Sequence, residues 1–378
     1  MTARGPIRLA MVGGGPGAFI GPVHRMAAEL DGRIRLVAGA FSRDAVKNAE
    51  AARAWGVRGY ADWRDLISTE PARDDGAELV AVVTPNHLHF EVSAAALKAG
   101  LHVMSDKPAT LDLAQARDLA GTVAASGRLY GLTHVYTGYP MVREAREIAR
   151  RGDLGAVRKI VVEYAQGWLS RPIERDGDKQ AGWRADPAQA GAGGCIGDIG
   201  THAFNLAEFV GGQRVTRLCA DLATVVPGRT LDDDCNMLLR FESGARGVLI
   251  ASQISAGARN GLRIQVYGET GGLTWSHDRH TELTVDRLDG PSQTLHAGSA
   301  YLSAPVRAAT RIPTGHPEGF VEAFANLYRD LADAIAEGRA DTGLVPGIAD
   351  GVRGMAFVET AVAASRDGRG WVELGAAA

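Results

Sequence analysis

Asp198 and His202 stand four residues apart in the stretch Gly193-Gly194-Cys195-Ile196-Gly197-Asp198-Ile199-Gly200-Thr201-His202. A helix through this segment puts both on one face, so a carboxylate and an imidazole converge on one point. An imidazole titrates near working pH and suits a general base. The bland alternative is an N-cap aspartate and a packed histidine; the glycines before them, which let backbone approach something closely, favour the functional reading. Lys107 lies between Asp106 and Pro108, a lysine on a rigid turn poised to donate a hydrogen bond. Upstream of it runs Thr84-Pro85-Asn86-His87-Leu88-His89.

A third constellation is Gly13-Gly14-Gly15-Pro16-Gly17, directly after the apolar run Ile7 to Val12. Glycines suit a strand-to-helix turn where a pyrophosphate approaches the chain, and the helix start then offers free N–H groups, here around Phe19 and Ile20. The strict G-x-G-x-x-G pattern is absent because residue 18 is Ala. A lengthened loop with Gly21 in the third role fits better, with Pro22 marking the helix start. A ligand-free glycine turn is the rival reading, and the position after the first strand of a strand–helix series favours a dinucleotide site. Where an acidic residue would bind the adenosine ribose, the chain has Phe41-Ser42-Arg43. Ser42 suits either ribose form and Arg43 could pair with a 2′-phosphate, so NADP is not excluded.

These residues need elements to carry them. Strands are expected at Ile7 to Val12, Arg33 to Phe41, Glu78 to Val83 and Leu101 to Met104, alternating with helices near Gly21 to Leu30, Asp44 to Trp55, Phe90 to Ala99 and Leu113 to Ala125. That alternation predicts a parallel sheet of βαβ units, and Lys107 and Thr84 fall just past strand ends, where such sheets bind ligands. After one helix at Met141 to Arg150 the pattern changes. Extended segments follow at 155–166, 214–226, 236–241, 245–255, 262–267, 273–275 and 283–288, predicting a mostly antiparallel sheet. Phe320 to Glu337 reads as an amphipathic helix. The fold class is therefore α/β: a Rossmann-type domain over 1–134 and an α+β domain over 135–378.

Of 378 residues, 41 are Lys or Arg and 44 Asp or Glu, a net charge of −3 without like-charge runs. Nucleic acid and anionic membrane thus have no electrostatic footprint. Cys195, Cys219 and Cys235 have neither an even count nor C-x-x-C spacing, against a disulfide framework or structural zinc. No apolar stretch reaches membrane-spanning length. Met1 to Val12 reads as a first strand rather than a leader, and a cytoplasmic location is expected. Asp232-Asp233-Asp234 invites a metal reading, but no His or Glu cluster accompanies it, so a surface turn is expected and no metal.

Together, Thr84-Pro85-Asn86-x-x-His89, Ala99-Gly100-x-His102-Val103 before Asp106-Lys107-Pro108, Trp183-Arg184, the Asp198/His202 segment and His316-Pro317-Glu318-Gly319-Phe320 through Tyr328 resemble the glucose–fructose oxidoreductase, inositol dehydrogenase and rhizopine-catabolism family. The resemblance spans nearly the whole chain. Two departures stand out: the usual Glu-Lys-Pro reads Asp-Lys-Pro, and the lengthened glycine loop looks like the levoglucosan dehydrogenase branch. The resemblance implies NAD, with NADP open, held by Gly13, Gly15, Phe19, Ile20, Ser42, Arg43, Thr84, Pro85, Asn86, His89, Asp106, Lys107, Trp183 and Arg184. It implies Lys107, Asp198 and His202 as catalytic residues. Tyr136, just past the Rossmann segment, is a candidate contact to substrate or cofactor with core packing as its rival, and His316 on a Pro/Gly-rich loop is a further candidate substrate contact. The implied reaction moves a hydride between a ring hydroxyl or ketone of a sugar, anhydrosugar or cyclic polyol and nicotinamide, in a homodimer or homotetramer. Two rivals share this framework: an NAD-dependent glycoside hydrolase using transient oxidation, and a non-catalytic dinucleotide sensor, which would not need Lys107 or His202.

Overall fold

The computed structural model describes residues 5–375, so Met1 to Arg4 of the expected first strand lie outside the described residues. Two compact units are present, residues 5–138 with 320–352 and residues 139–319 with 353–375.

The first unit is built on a six-stranded sheet: β1 (Ile7–Gly13), β2 (Ile34–Ala40), β3 (Arg58–Gly59), β4 (Leu79–Val83), β5 (His102–Ser105) and β6 (Tyr130–Leu132). The order is β3-β2-β1-β4-β5-β6, and every pairing is parallel. All five residues of β4 are buried, which is why its sequence is an unbroken apolar run rather than an alternating one. The chain switches direction across the sheet at β1 and β4, and Gly13 pairs with Val83 at their carboxyl ends. A ligand crevice is expected at such a switch point.

The second unit contains nine strands: β7 (Lys159–Ala165), β8 (Val215–Ala223), β9 (Asp234–Phe241), β10 (Arg246–Ser252), β11 (Gly261–Tyr267), β12 (Gly271–Ser276), β13 (Glu282–Arg287), β14 (Gln293–His296) and β15 (Val372–Glu373). Their order is β14-β13-β12-β11-β7-β10-β9-β8-β15. Among the described residues of this sheet only β7 and β10 pair in parallel. Leu239, Leu249, Val162 and Ile264 are buried on one face, against which the helices Thr201–Gly211 and Pro140–Arg150 pack. On the other face Leu238, Val248 and Val161 lie side by side, with Leu238 exposed.

The division into units falls at 138/139 and gathers 320–352 into the first unit, where the sequence predicts one boundary at 134/135. The helix Phe320–Glu337 forms where the sequence puts it, but it packs on the helix Ile20–Glu29 and completes the first unit. Its apolar stripe marks a buried face without naming the partner. The helix Ile348–Arg366 was not expected, because its buried residues, from Val352 to Ala364, are spread around it instead of forming one stripe.

Candidate active site

In the first unit the glycine loop is shaped by close backbone approach. Gly13 and Gly14 take φ values of +80° and +64°, conformations that favour glycine. A Cβ on Gly21 would lie 1.6 Å from the Gly14 carbonyl oxygen, so Gly21 takes the third-glycine role the sequence suggests. The helix Ile20–Glu29 then opens behind Phe19 without a side-chain cap, and Phe19 is 69% exposed. Its first N–H groups have no intrahelical acceptor. The buried Thr84 Oγ1, one residue past β4, also has no protein partner. An uncapped helix start, a glycine cradle and an orphaned hydroxyl at the switch point are the features a dinucleotide fits.

Past β2, Ser42 Oγ accepts from the Asp44 N–H at 3.1 Å and Arg43 is exposed. Buried Asn48 fixes this strand end by accepting from the Phe41 N–H at 2.7 Å. Pro85 leads into a single 3-10 turn, Asn86–Leu88, with Asn86 buried. His89 is buried, and its ring nitrogens lie 2.6 Å from the Pro108 carbonyl and 2.8 Å from the Thr84 carbonyl. It is a strut between the two strand-end loops, so its ring nitrogens serve the chain rather than a cofactor. Asp106 Oδ1 accepts from the Lys107 N–H at 3.0 Å and from the Thr133 hydroxyl at 2.6 Å.

Beneath the loop are buried histidines that sequence reasoning missed. Burial pushes His24 down to about 4, with Asp106 partly opposing. Burial, and then the Lys107 charge, push His134 down to about 3. His24 Nδ1 lies 2.7 Å from the Tyr328 hydroxyl, which ties the helix Ile20–Glu29 to the helix Phe320–Glu337. Tyr136, a candidate substrate contact, is buried in the 3-10 turn Val135–Gly138.

In the second unit Asp198 lies in a π-helical turn, Ile196–Gly200, that runs directly into the helix Thr201–Gly211 bearing His202. The sequence spacing suggests ordinary α-helix; the observed wide turn is a form that recurs at functional sites. Asp198 Oδ2 accepts from Gln253 Nε2 at 2.8 Å and pairs with Arg184 Nε at 3.3 Å. The Arg184 guanidinium lies 4.2 Å from the Trp183 ring centroid and also donates from Nη1 to Gln180 Oε1 at 2.8 Å. His202 is 8% exposed, with its ring 6.3 Å from that of Tyr164. Tyr164 donates to Asn260 Oδ1 at 2.6 Å, and Gln166 Nε2 donates to the same oxygen at 2.9 Å. Sequence reasoning missed Gln253, Tyr164, Gln166 and Asn260; the tyrosine and Gln166 at the end of β7 were the available signal. His316 sits on an exposed loop with Nδ1 3.3 Å from the Pro313 carbonyl.

The acidic triplet is not the expected surface turn. Asp233 is 1% exposed, and its carboxylate accepts from the Val225 and Val226 N–H groups at 2.8 and 3.0 Å. Asp232 accepts from the Gly194 and Ile196 N–H groups, both at 2.7 Å. Backbone donors satisfy both carboxylates, those of Asp232 from 36 and 38 positions away, and Asp233 is also paired with the buried Arg229 guanidinium at 3.3 Å. Among the described residues no group of three or more His, Cys, Asp or Glu could hold a metal, and no helix is long and apolar enough to cross a membrane.

A parallel sheet with a phosphate-type loop at its switch point, followed by an antiparallel α+β unit, defines a two-unit nucleotide-binding oxidoreductase. Residues 7–134 match the family described as "Oxidoreductase family, NAD-binding Rossmann fold", and residues 142–274 match the "GFO/IDH/MocA C-terminal domain". The oxidoreductase YfiI of Bacillus subtilis is 33% identical over 79% of this chain and 77% of its own. The chain belongs to the Gfo/Idh/MocA oxidoreductases, and its first unit is an NAD-binding Rossmann domain. An inositol dehydrogenase homolog of Azotobacter vinelandii, solved with NAD+, is 37% identical with 98% of both chains covered and a TM-score of 0.94. The levoglucosan dehydrogenase of Pseudarthrobacter phenanthrenivorans is 27% identical over 67% of this chain and 69% of its own. A levoglucosan dehydrogenase solved with NADH and levoglucosan superposes with a TM-score of 0.87 at 26% identity, covering 98% and 99% of the two chains.

Proposed function

We propose that this protein is an NAD-dependent dehydrogenase acting on one secondary ring hydroxyl of a cyclic polyol, sugar or anhydrosugar, with inositol-like and levoglucosan-like rings as the first candidates. The observation that carries the reading is the pairing of Asp198, held by Arg184 and Gln253, with nearly buried His202 at the head of one helix. Relatives named for inositol and levoglucosan supply the substrate class.

In this reading His202 takes the proton of the reacting hydroxyl. Lys107 polarises the same oxygen and helps orient the nicotinamide. Asp198 accepts a hydrogen bond from the substrate and steadies the charge that builds on His202. Bound NAD supplies the hydride acceptor, and the alcohol carbon becomes a ketone carbon. The rate gain from such a base lies in the range of about two to four orders of magnitude. Gly13, Gly15 and the N–H groups around Phe19 and Ile20 hold the pyrophosphate, while Ser42 and Arg43 face the adenosine ribose. We further infer that the face carrying Leu238, Val248 and Val161 assembles the chain into a dimer or tetramer. A solution mass equal to the 39.8 kDa monomer would remove that inference.

The decisive experiment is a panel of cyclic polyols, sugars and anhydrosugars with NAD and with NADP, followed at the nicotinamide absorbance. Net NADH formation with at least one ring alcohol is expected. Aglycone release from a glycoside without net NADH would favour the hydrolase alternative, and no turnover with any compound would favour the sensor.

A further inference from the structure

We propose that Asp232 is a positioning residue for the active site: its carboxylate caps, from a distant part of the chain, the turn that presents Asp198 and leads to His202. The inference rests on the catalytic reading of those two residues.

The turn has no local cap. Cys195, at its start, makes no side-chain capping bond, and the two glycines before it have no side chains to offer. The missing acceptors arrive from 38 and 36 positions downstream, where Asp232 Oδ1 takes the Gly194 N–H and Oδ2 takes the Ile196 N–H. The Asp232 carbonyl takes the remaining donor between them, the Cys195 N–H, at 2.8 Å. One residue therefore satisfies three consecutive backbone donors. A carboxylate also complements the positive end of the helix that follows.

The connection to Asp198 is one peptide long. The Gly194 group whose N–H is held by Asp232 offers its carbonyl to the Asp198 N–H at 2.9 Å. Gly194 must be glycine for this approach, since a Cβ there would lie 2.2 Å from the Asp232 carbonyl oxygen. The neighbouring Asp233 works on the other end of the same side chain. Its carbonyl accepts the Gln253 N–H at 3.0 Å, and the Gln253 amide reaches the Asp198 carboxylate. The acidic segment thus fixes both the backbone and the carboxylate of Asp198. Burial raises the Asp232 pKa to about 6, with the two N–H donors opposing.

The test uses Asp232→Asn, which keeps one acceptor and turns a donor toward the second N–H. Asp232→Ser serves as a second variant, and failure of both to fold would overturn a positioning role. With a ring alcohol turned over by the wild type, kcat/KM should fall tenfold to a hundredfold, on the order expected for a misplacement approaching 1 Å. The Kd for NADH should stay within twofold of wild type. In an Asp198→Asn background the same change should cost less than twofold, because the side chain being positioned is already disabled. Wild-type kcat/KM in Asp232→Asn, or losses that simply multiply in the double variant, would overturn the proposal. Hydrogen exchange of peptides spanning 194–202 gives a readout independent of substrate. Exchange at least tenfold faster in Asp232→Asn is expected, and unchanged protection overturns the proposal. A wild type inactive on every compound would sink the dehydrogenase reading alone, leaving the exchange result to judge Asp232.

Discussion

Replacing Gly21 with Ala tests whether the glycine loop holds the dinucleotide. The new Cβ would sit 1.6 Å from the Gly14 oxygen, 2.2 Å from its carbonyl carbon and 2.5 Å from its Cα. All three are backbone atoms, so no side chain can swing aside. Restoring ordinary contact near 3.4 Å requires the loop and the helix start to separate by about 1.8 Å. N–H groups at the helix entrance then lie out of hydrogen-bond range of a phosphate that still contacts the loop. Losing two bonds to a charged group, at roughly 1.5–3 kcal/mol each, raises the NADH Kd by at least about a hundredfold. Gly17→Ala is the control. Gly17 has φ +89° but no atom within 4 Å of a Cβ, so it suffers backbone strain of about 1–2 kcal/mol without a collision. Fluorescence titration with NADH, beside thermal melts of both variants, separates binding from folding. A folded Gly21→Ala protein binding NADH within threefold of wild type would refute the reasoning.

His202→Ala should lower turnover by about two to four orders of magnitude at unchanged NADH affinity; near-normal turnover in the folded variant removes His202 from the mechanism. Ser42→Asp should suppress use of NADP relative to NAD by setting a carboxylate against a 2′-phosphate, and an unchanged ratio of the two rates would mean that residue 42 does not approach the ribose. Acid should loosen the two units unequally. His24 and His134, at about 4 and about 3 in the fold against 6.5 when unfolded, refuse protons that the unfolded chain accepts. Their contribution is full above pH 6.5 and is lost as pH falls toward 4 and 3, up to about 3 and about 5 kcal/mol respectively. Asp232, at about 6 against 3.8, works in the opposite sense, gaining stability for the second unit as pH falls through the same range. Hydrogen exchange at pH 7 and pH 5 should show the first unit losing protection before the second, and the reverse order would contradict these assignments.

Much of the fold is legible in the sequence because its signals are local. The run of β4 is apolar on both faces, Gly13 to Gly21 punctuate the first crossover, and the stripe of Phe320–Glu337 has helical period. Strands as short as β3 and β15, two residues each, carry no period to detect. What stayed hidden is which surfaces meet. The stripe from Phe320 says that a face is buried, yet only the fold shows that Tyr328 reaches His24, 304 positions away. The same gap explains the misread acidic triplet. Three successive aspartates look solvated, since a buried carboxylate is costly unless donors surround it. The donors to Asp232 are backbone N–H groups of a glycine-rich turn, chemically anonymous in any sequence. The residues proposed to do chemistry, Lys107, Asp198 and His202, therefore announce themselves by type. Residues that hold loops and turns in place, such as His89 and Asp232, act through backbone groups and become visible only when the chain is folded.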